Sequence, residues 1–221
     1  MKVTLKDNSK IYYEVFGEGQ PLVMVHGNGE DHTIFTKACL VLEKRYKVYL
    51  LDSPGHGQSD PLENMSYHFL ANKIYEFMEV LNIENPYFYG FSDGGIIGLL
   101  ISIKHPNYFK KLIISGANTN PKGLKFLTLA SMKLQYFLKL DKKLKMMIVE
   151  PNISNKQLQS IKTNTIILVG ENDLIKESHT KNIKEMIPNS ILEIIPKENH
   201  DSYIINSDKI AYVLLKYLDA N

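Results

Sequence analysis

"PYFYGFSDGGIIGLLISI", residues 86–103, decides how the rest of the chain is read. It opens on an apolar, aromatic run of strand length and closes on a second apolar run inside a predicted helix over 93–104. Between them lies "GFSDGG", residues 90–95, a lone serine with a glycine two positions to either side. A sharp strand-to-helix turn would lift Ser92 out of the sheet and crowd its neighbours. Gly90 and Gly94 relieve that crowding because they carry no Cβ. The helix that follows would aim its free N–H groups and the positive end of its dipole at negative charge developing beside Ser92.

Working outward from this stretch, strand and helix patterns alternate. "VTLK" and "KIYYEVF" flank the turn-forming "DNS" and read as a hairpin. "PLVMVH" is a continuous apolar run, the pattern of a strand buried on both faces. "KVYLLD", "PYFYGF", "KLIISGA", "TIILVG" and "SILEIIP" bring the predicted strands to eight. Helical spacing is predicted over 31–44, over 66–81 with Ser66 as N-cap, over 93–104, over 177–187, and over 202–219. An antiparallel start followed by strands separated by helices predicts an α/β fold: one largely parallel eight-stranded sheet, helices on both faces, and a single domain over 1–221. Residues 118–164, between the sixth and seventh strands, exceed one crossover helix. Their "GLKFLTLASMKLQYFLKL", continued by "KKLKMMIVE", predicts a short helical lid inserted in the domain.

Composition narrows the function classes. With 26 basic and 24 acidic residues the formal charge is +2, and no basic stripe marks a nucleic-acid binder. Lysine pairs such as Lys110–Lys111 and Lys142–Lys143 read as solvated helix faces. A lone cysteine, Cys39, excludes an intramolecular disulfide and suits a reducing compartment. The first 17 residues lack the apolar core of a signal peptide, and no run reaches the roughly 18 apolar residues of a membrane span. A cytoplasmic location is the expectation.

"GFSDGG" in its strand–turn–helix setting resembles the nucleophile elbow of the α/β-hydrolase fold family, and the resemblance runs from the opening hairpin to the closing helix. It implies a serine nucleophile, then an acid, then a histidine in chain order. "GENDLI" after the seventh strand places Asp173 at the acid, and "PKENHDSY" after the eighth places His200 at the general base. "SGANTNP" after the sixth strand holds no carboxylate, which leaves Glu171 and Asp201 as the weaker alternatives for the acid. The resemblance also implies an oxyanion hole from the backbone N–H groups of Asp93 and of Asn28 in "HGNGE". His26 is expected to shape that loop. His56 in "PGHGQS" is read as structural, with pocket lining as the alternative. His32, His68, His105 and His179 are expected at the surface or at helix ends. No H-E-x-x-H spacing is present, so no metal and no cofactor are expected.

The implied activity is hydrolysis of small carboxylic esters through an acyl-enzyme. Lactonase, thioesterase and C–C bond hydrolase are the alternatives within enzymes, and a ligand-sensing protein that retains the triad is the alternative outside them. The expected partner is a small-molecule ester or related acyl compound. Leu124, Leu127, Met132, Tyr136 and Phe137 of the lid would supply an apolar wall. The S-D-G-G form of the elbow is similar to that of valacyclovir-hydrolase-like members, which act on amino-acid esters. In that case the Asp93 carboxylate would meet a substrate ammonium; otherwise it caps its own helix.

Overall fold

Alternation along each central strand builds two cores, one on either face of a single sheet. In the computed structural model, which describes residues 1–63 and 65–219, β3 (Gln20–Val25) sends Val23 and Val25 to one core and Leu22 and Met24 to the other. β4 (Tyr46–Leu51) divides Tyr49 and Leu51 from Val48 and Leu50 in the same way. β5 (Tyr87–Phe91) sends Phe88 to the first core and Tyr87, Tyr89 and Phe91 to the second. Side chains on a strand alternate with a period of two, so an apolar residue at every position requires cover on both faces.

The helices supply that cover. α1 (Thr36–Leu42) and α8 (Lys209–Leu218) close one face. α2 (Tyr67–Val80) and α3 (Asp93–Lys104) close the other. Ser66 caps α2 by accepting from the N–H of Phe69 at 3.1 Å, a contact of a kind worth about 1 kcal/mol. α3 is buried over most of its circumference, because β5, α2 and the next strand surround it.

With β1 (Lys2–Thr4), β2 (Lys10–Phe16), β6 (Lys111–Ser115), β7 (Thr165–Gly170) and β8 (Ser190–Ile195), the sheet has eight strands in the order β1-β2-β4-β3-β5-β6-β7-β8. β2 pairs antiparallel with β1 and with β4, and every later pairing is parallel. All eight predicted strands are present.

Three helix predictions change. The helix predicted over 31–44 opens as a 3-10 turn, His32–Phe35, and is α-helical only over Thr36–Leu42. The closing helix begins at Lys209, not at 202, because Asn206 adopts φ 50°, outside the right-handed helical region. Tyr203 and Ile204 are buried in the turns before it. Between β6 and β7 the predicted long helix is broken into α4 (Phe126–Lys139) and α5 (Lys142–Val149). Leu140 caps α4 in the left-handed region at φ 52°, and Asp141 caps α5 by accepting from the N–H groups of Lys143 and Leu144. A short α6 (Asn155–Gln159) returns the chain to the sheet through the buried Leu158, and α7 (Glu177–Met186) joins β7 to β8.

Candidate active site

Ser92 follows the last residue of β5 and precedes the first of α3, with φ 51° and ψ −111°. A positive φ is strained for a residue with a Cβ, and the fold holds it there from both sides. The Ser92 N–H donates to the Ser115 carbonyl at 2.7 Å, and the Ser92 carbonyl accepts from the N–H groups of Gly95 and Ile96. The flanking glycines are required by close approach. A Cβ on Gly90 would lie 2.2 Å from the Gly94 oxygen, and one on Gly94 would lie 2.2 Å from the Val25 oxygen.

Loops at the C-terminal ends of β7 and β8 bring Asp173 and His200 to the same rim. His200 Nε2 is 3.1 Å from Ser92 Oγ, and His200 Nδ1 is 2.8 Å from Asp173 Oδ1. Asp173 Oδ1 also accepts from the N–H of Ile175 at 2.9 Å, which fixes the carboxylate. A carboxylate accepts only, so Nδ1 carries the proton and the Nε2 lone pair faces the serine hydroxyl. Burial works against the imidazolium of His200, but the hydrogen bond and charge of Asp173 outweigh it and raise the pKa above 6.5. The ring lies against Phe91, centroid to centroid 5.1 Å, and against Gly116, where a Cβ would come within 2.6 Å of Cε1.

The loop after β3 reaches the serine from the other side. A Cβ on Gly27 would lie 3.1 Å from that of Ser92, and the Gly27 N–H donates to Glu30 Oε2 at 2.9 Å. Asn28 follows at once. Its side-chain amide donates to the sulfur of Met147 on α5, and its Oδ1 lies 3.5 Å from His56 Nε2. The N–H of Asp93 is the first of α3, where no intrahelical acceptor exists. Asp93 thus adjoins Ser92 in the chain, and Asn28 adjoins Gly27, whose backbone lies against the serine.

The remaining polar groups have defined places. His26 is buried and accepts from the N–H of Ser53 at 2.9 Å through Nε2, so Nδ1 donates to the Gly27 carbonyl at 2.7 Å. Burial lowers its pKa to about 4, and that of His56 likewise to about 4. His32 stands at a helix end, as the first residue of the turn His32–Phe35, and is buried there, with Asp52 Oδ1 accepting from both its backbone N–H (2.8 Å) and its Nδ1 (2.6 Å). Asp31, His32 and Asp52 cluster closely enough to suggest ligands, but the other Asp52 oxygen accepts from the N–H of Gln58.

Asp93 is fully enclosed, and burial raises its pKa to about 6. Tyr67 donates to its Oδ1 at 2.7 Å, while its Oδ2 has no partner. Burial raises Glu30 to about 7.

The residues expected to form an apolar wall are placed differently from that expectation. Leu124 is buried and bridges to Ile175. Met132 and Tyr136 are half-buried on the inward side of α4, whereas Leu127 and Phe137 point to solvent. The contact with the Asn28 loop comes from α5, through Met147. Sequence reasoning missed Met147, Tyr67, Glu30 and Gly116. Only Gly116, in the quoted "SGANTNP", carried a local signal, a glycine at a strand end.

Comparison with known proteins agrees with this architecture. The sequence model of the α/β hydrolase fold family matches residues 20–143. The chain is 27% identical over 117 residues to a 3-oxoadipate enol-lactonase of Acinetobacter baylyi, covering 52% of this chain and 44% of that protein. It is 29% identical over 103 residues to a pimeloyl-[acyl-carrier protein] methyl ester esterase of Vibrio cholerae, covering 47% and 39% respectively. The matched segments therefore span less than half the length of these curated relatives. Among solved structures, an esterase from Exiguobacterium antarcticum superposes with a TM-score of 0.84 at 23% identity over 100% of this chain and 99% of that one. A meta-cleavage product hydrolase from Pseudomonas fluorescens gives 0.82 at 18% identity over 99% and 97%. No helix among the described residues is long and apolar enough to cross a membrane. With more than half of its length matched by the family model and its whole sheet shared with these enzymes, the chain belongs to the α/β hydrolase fold family.

Proposed function

We propose that the chain is a serine hydrolase of small carboxylic esters, with Ser92 as nucleophile, His200 as general base and acid, and Asp173 as the residue that orients the histidine. The observation that carries this reading is the continuous hydrogen-bonded line Ser92–His200–Asp173, at 3.1 and 2.8 Å, ending on a strained serine at a helix N-terminus. As Ser92 Oγ attacks the acyl carbon, His200 Nε2 takes its proton, and Asp173 stabilises the resulting imidazolium. The N–H groups of Asn28 and Asp93 receive the oxyanion. His200 then gives the proton to the departing alkoxide. Water, deprotonated by the same nitrogen, releases the acid and restores Ser92.

Residues 118–164 are assigned as a lid within the single domain, supported by an α4 with no buried residue and an α5 that touches Asn28. The test is a panel of p-nitrophenyl esters, lactones and thioesters, run on the wild type and on Ser92→Ala. Turnover of the esters that is lost in the variant supports the reading. Turnover of lactones or thioesters in place of esters moves the substrate class within the same mechanism. A single acylation burst without turnover favours the ligand-sensing alternative.

A second substrate reading is favoured by the unpartnered Asp93 Oδ2. A buried carboxylate oxygen next to the nucleophile offers a counter-charge to an α-ammonium group on the acyl part. Comparing an α-amino ester with its des-amino analogue decides it, since equal kcat/KM removes the idea.

A further inference from the structure

The outer face of α4 has no counterpart in the chemistry above. At about 100° per residue, Phe126, Leu127, Ala130, Leu134, Phe137 and Leu138 fall within an arc of about 120°. Every residue in that arc is apolar, and every one is exposed. The five large side chains, with Leu140 at the cap, are between 61% and 80% exposed. The opposite side of the helix, through Leu129, Met132 and Tyr136, is half-buried, and α4 packs on α5. The helix is thus apolar on two sides, with a partner for only one.

Charge says what covers the other. Residues 121–149 hold seven lysines and one acid, Asp141, a net of +6 in a chain whose total is +2, so the rest carries −4. Six of the lysines, Lys122, Lys125, Lys133, Lys139, Lys142 and Lys145, are exposed. No ion pair among the described residues uses any of the seven. Lys133 borders the apolar arc beside Phe126 and Phe137, while Lys139 and Lys142 flank Leu140 at the tip of the hairpin. An isologous dimer through this face would press two such positive patches together. An apolar arc rimmed by lysines matches a surface that is apolar beneath and anionic on top.

We propose that the α4–α5 hairpin docks the protein on anionic lipid bilayers. Phe126, Leu127, Leu134, Phe137 and Leu138 enter the headgroup–acyl boundary, and the flanking lysines meet the lipid phosphates. The helix lies in the interface and does not span it.

The experiment is co-sedimentation of the full chain with vesicles of phosphatidylglycerol and phosphatidylcholine (1:1) or of phosphatidylcholine alone. The expected result is at least 10-fold more protein bound to the anionic vesicles. Leu134→Ser/Leu138→Ser and, separately, Lys139→Glu/Lys142→Glu should each lower that binding at least 5-fold, with circular dichroism and thermal unfolding unchanged. The lysine pair sits on the exposed surface and tests the claim even where the leucine pair disturbs the helix. The proposal is overturned if neither vesicle binds the protein, or if binding survives both variants. Binding that only the lysine variant lowers, with the leucine variant folded, would also overturn it, because the helix face would then not enter the bilayer. So would a wild-type dimer that Leu134→Ser/Leu138→Ser disperses, in protein that binds no vesicles. Vesicle binding needs no catalysis, so its failure leaves the ester panel's outcome untouched.

Discussion

Gly94 of the elbow abuts the carbonyl of Val25 at the end of the neighbouring strand, so closely that a Cβ on residue 94 would stand 2.2 Å from that oxygen. Backbone, not a flexible side chain, occupies the space, and neither the strand nor α3 can retreat from two packed cores. Gly94→Ala is therefore expected to cost at least about 3 kcal/mol, at the upper end of overpacking effects. Urea unfolding of the variant measures it. A loss under 1 kcal/mol would mean that the elbow has room for a Cβ after all.

Ser92→Ala removes the hydroxyl and leaves the strained backbone in place. Ester turnover should fall at least about 1,000-fold, and labelling by a fluorophosphonate probe should vanish. Stability should hold or rise slightly. Retained turnover in the purified variant would exclude Ser92 as the nucleophile.

The pH profile follows from His200. A general base acts in its neutral form, so kcat/KM should decline as pH falls through the histidine's pKa, with the midpoint above 6.5. Asp173→Asn removes the charge and the acceptor that raise that pKa. Its midpoint should move down, while its plateau falls about 10,000-fold. The same shift bears on folding. A histidine raised in the folded state contributes stability that is full below pH 6.5 and is lost as pH climbs through the raised value.

Asp93 has the opposite sign. Burial lifts it from 3.8 to about 6, so the folded state holds the proton more tightly than the unfolded chain does. Its ionisation therefore erodes stability as pH rises from about 4 to about 6. Asp93→Asn keeps an acceptor for Tyr67 without the charge. It should be more stable than wild type at pH 7.5 by about 2 to 3 kcal/mol, with no difference at pH 3.5. Chemical denaturation at the two pH values checks this, and an equal difference at both would remove ionisation as the cause.

Much of the architecture was legible because its signals are local. Two-residue alternation and continuous apolar runs located all eight strands, and Ser66 marked the start of α2, since a cap needs only the next three residues. The break at Leu140 and the late start of α8 were not legible. Each turns on one residue, Leu140 or Asn206, taking up a left-handed conformation.

By itself, the amino-acid order determined a serine between two glycines at a strand–helix seam, with a carboxylate and an imidazole at the ends of later strands. Tertiary structure alone decided the rest. It brought His200 to 3.1 Å from a serine 108 positions earlier, enclosed Asp93 against Tyr67, and put Met147 rather than Leu127 over the Asn28 loop. It also left one face of α4 uncovered. The reason is physical: burial and the meeting of distant groups depend on which elements pack together, and no residue's immediate neighbours encode that choice.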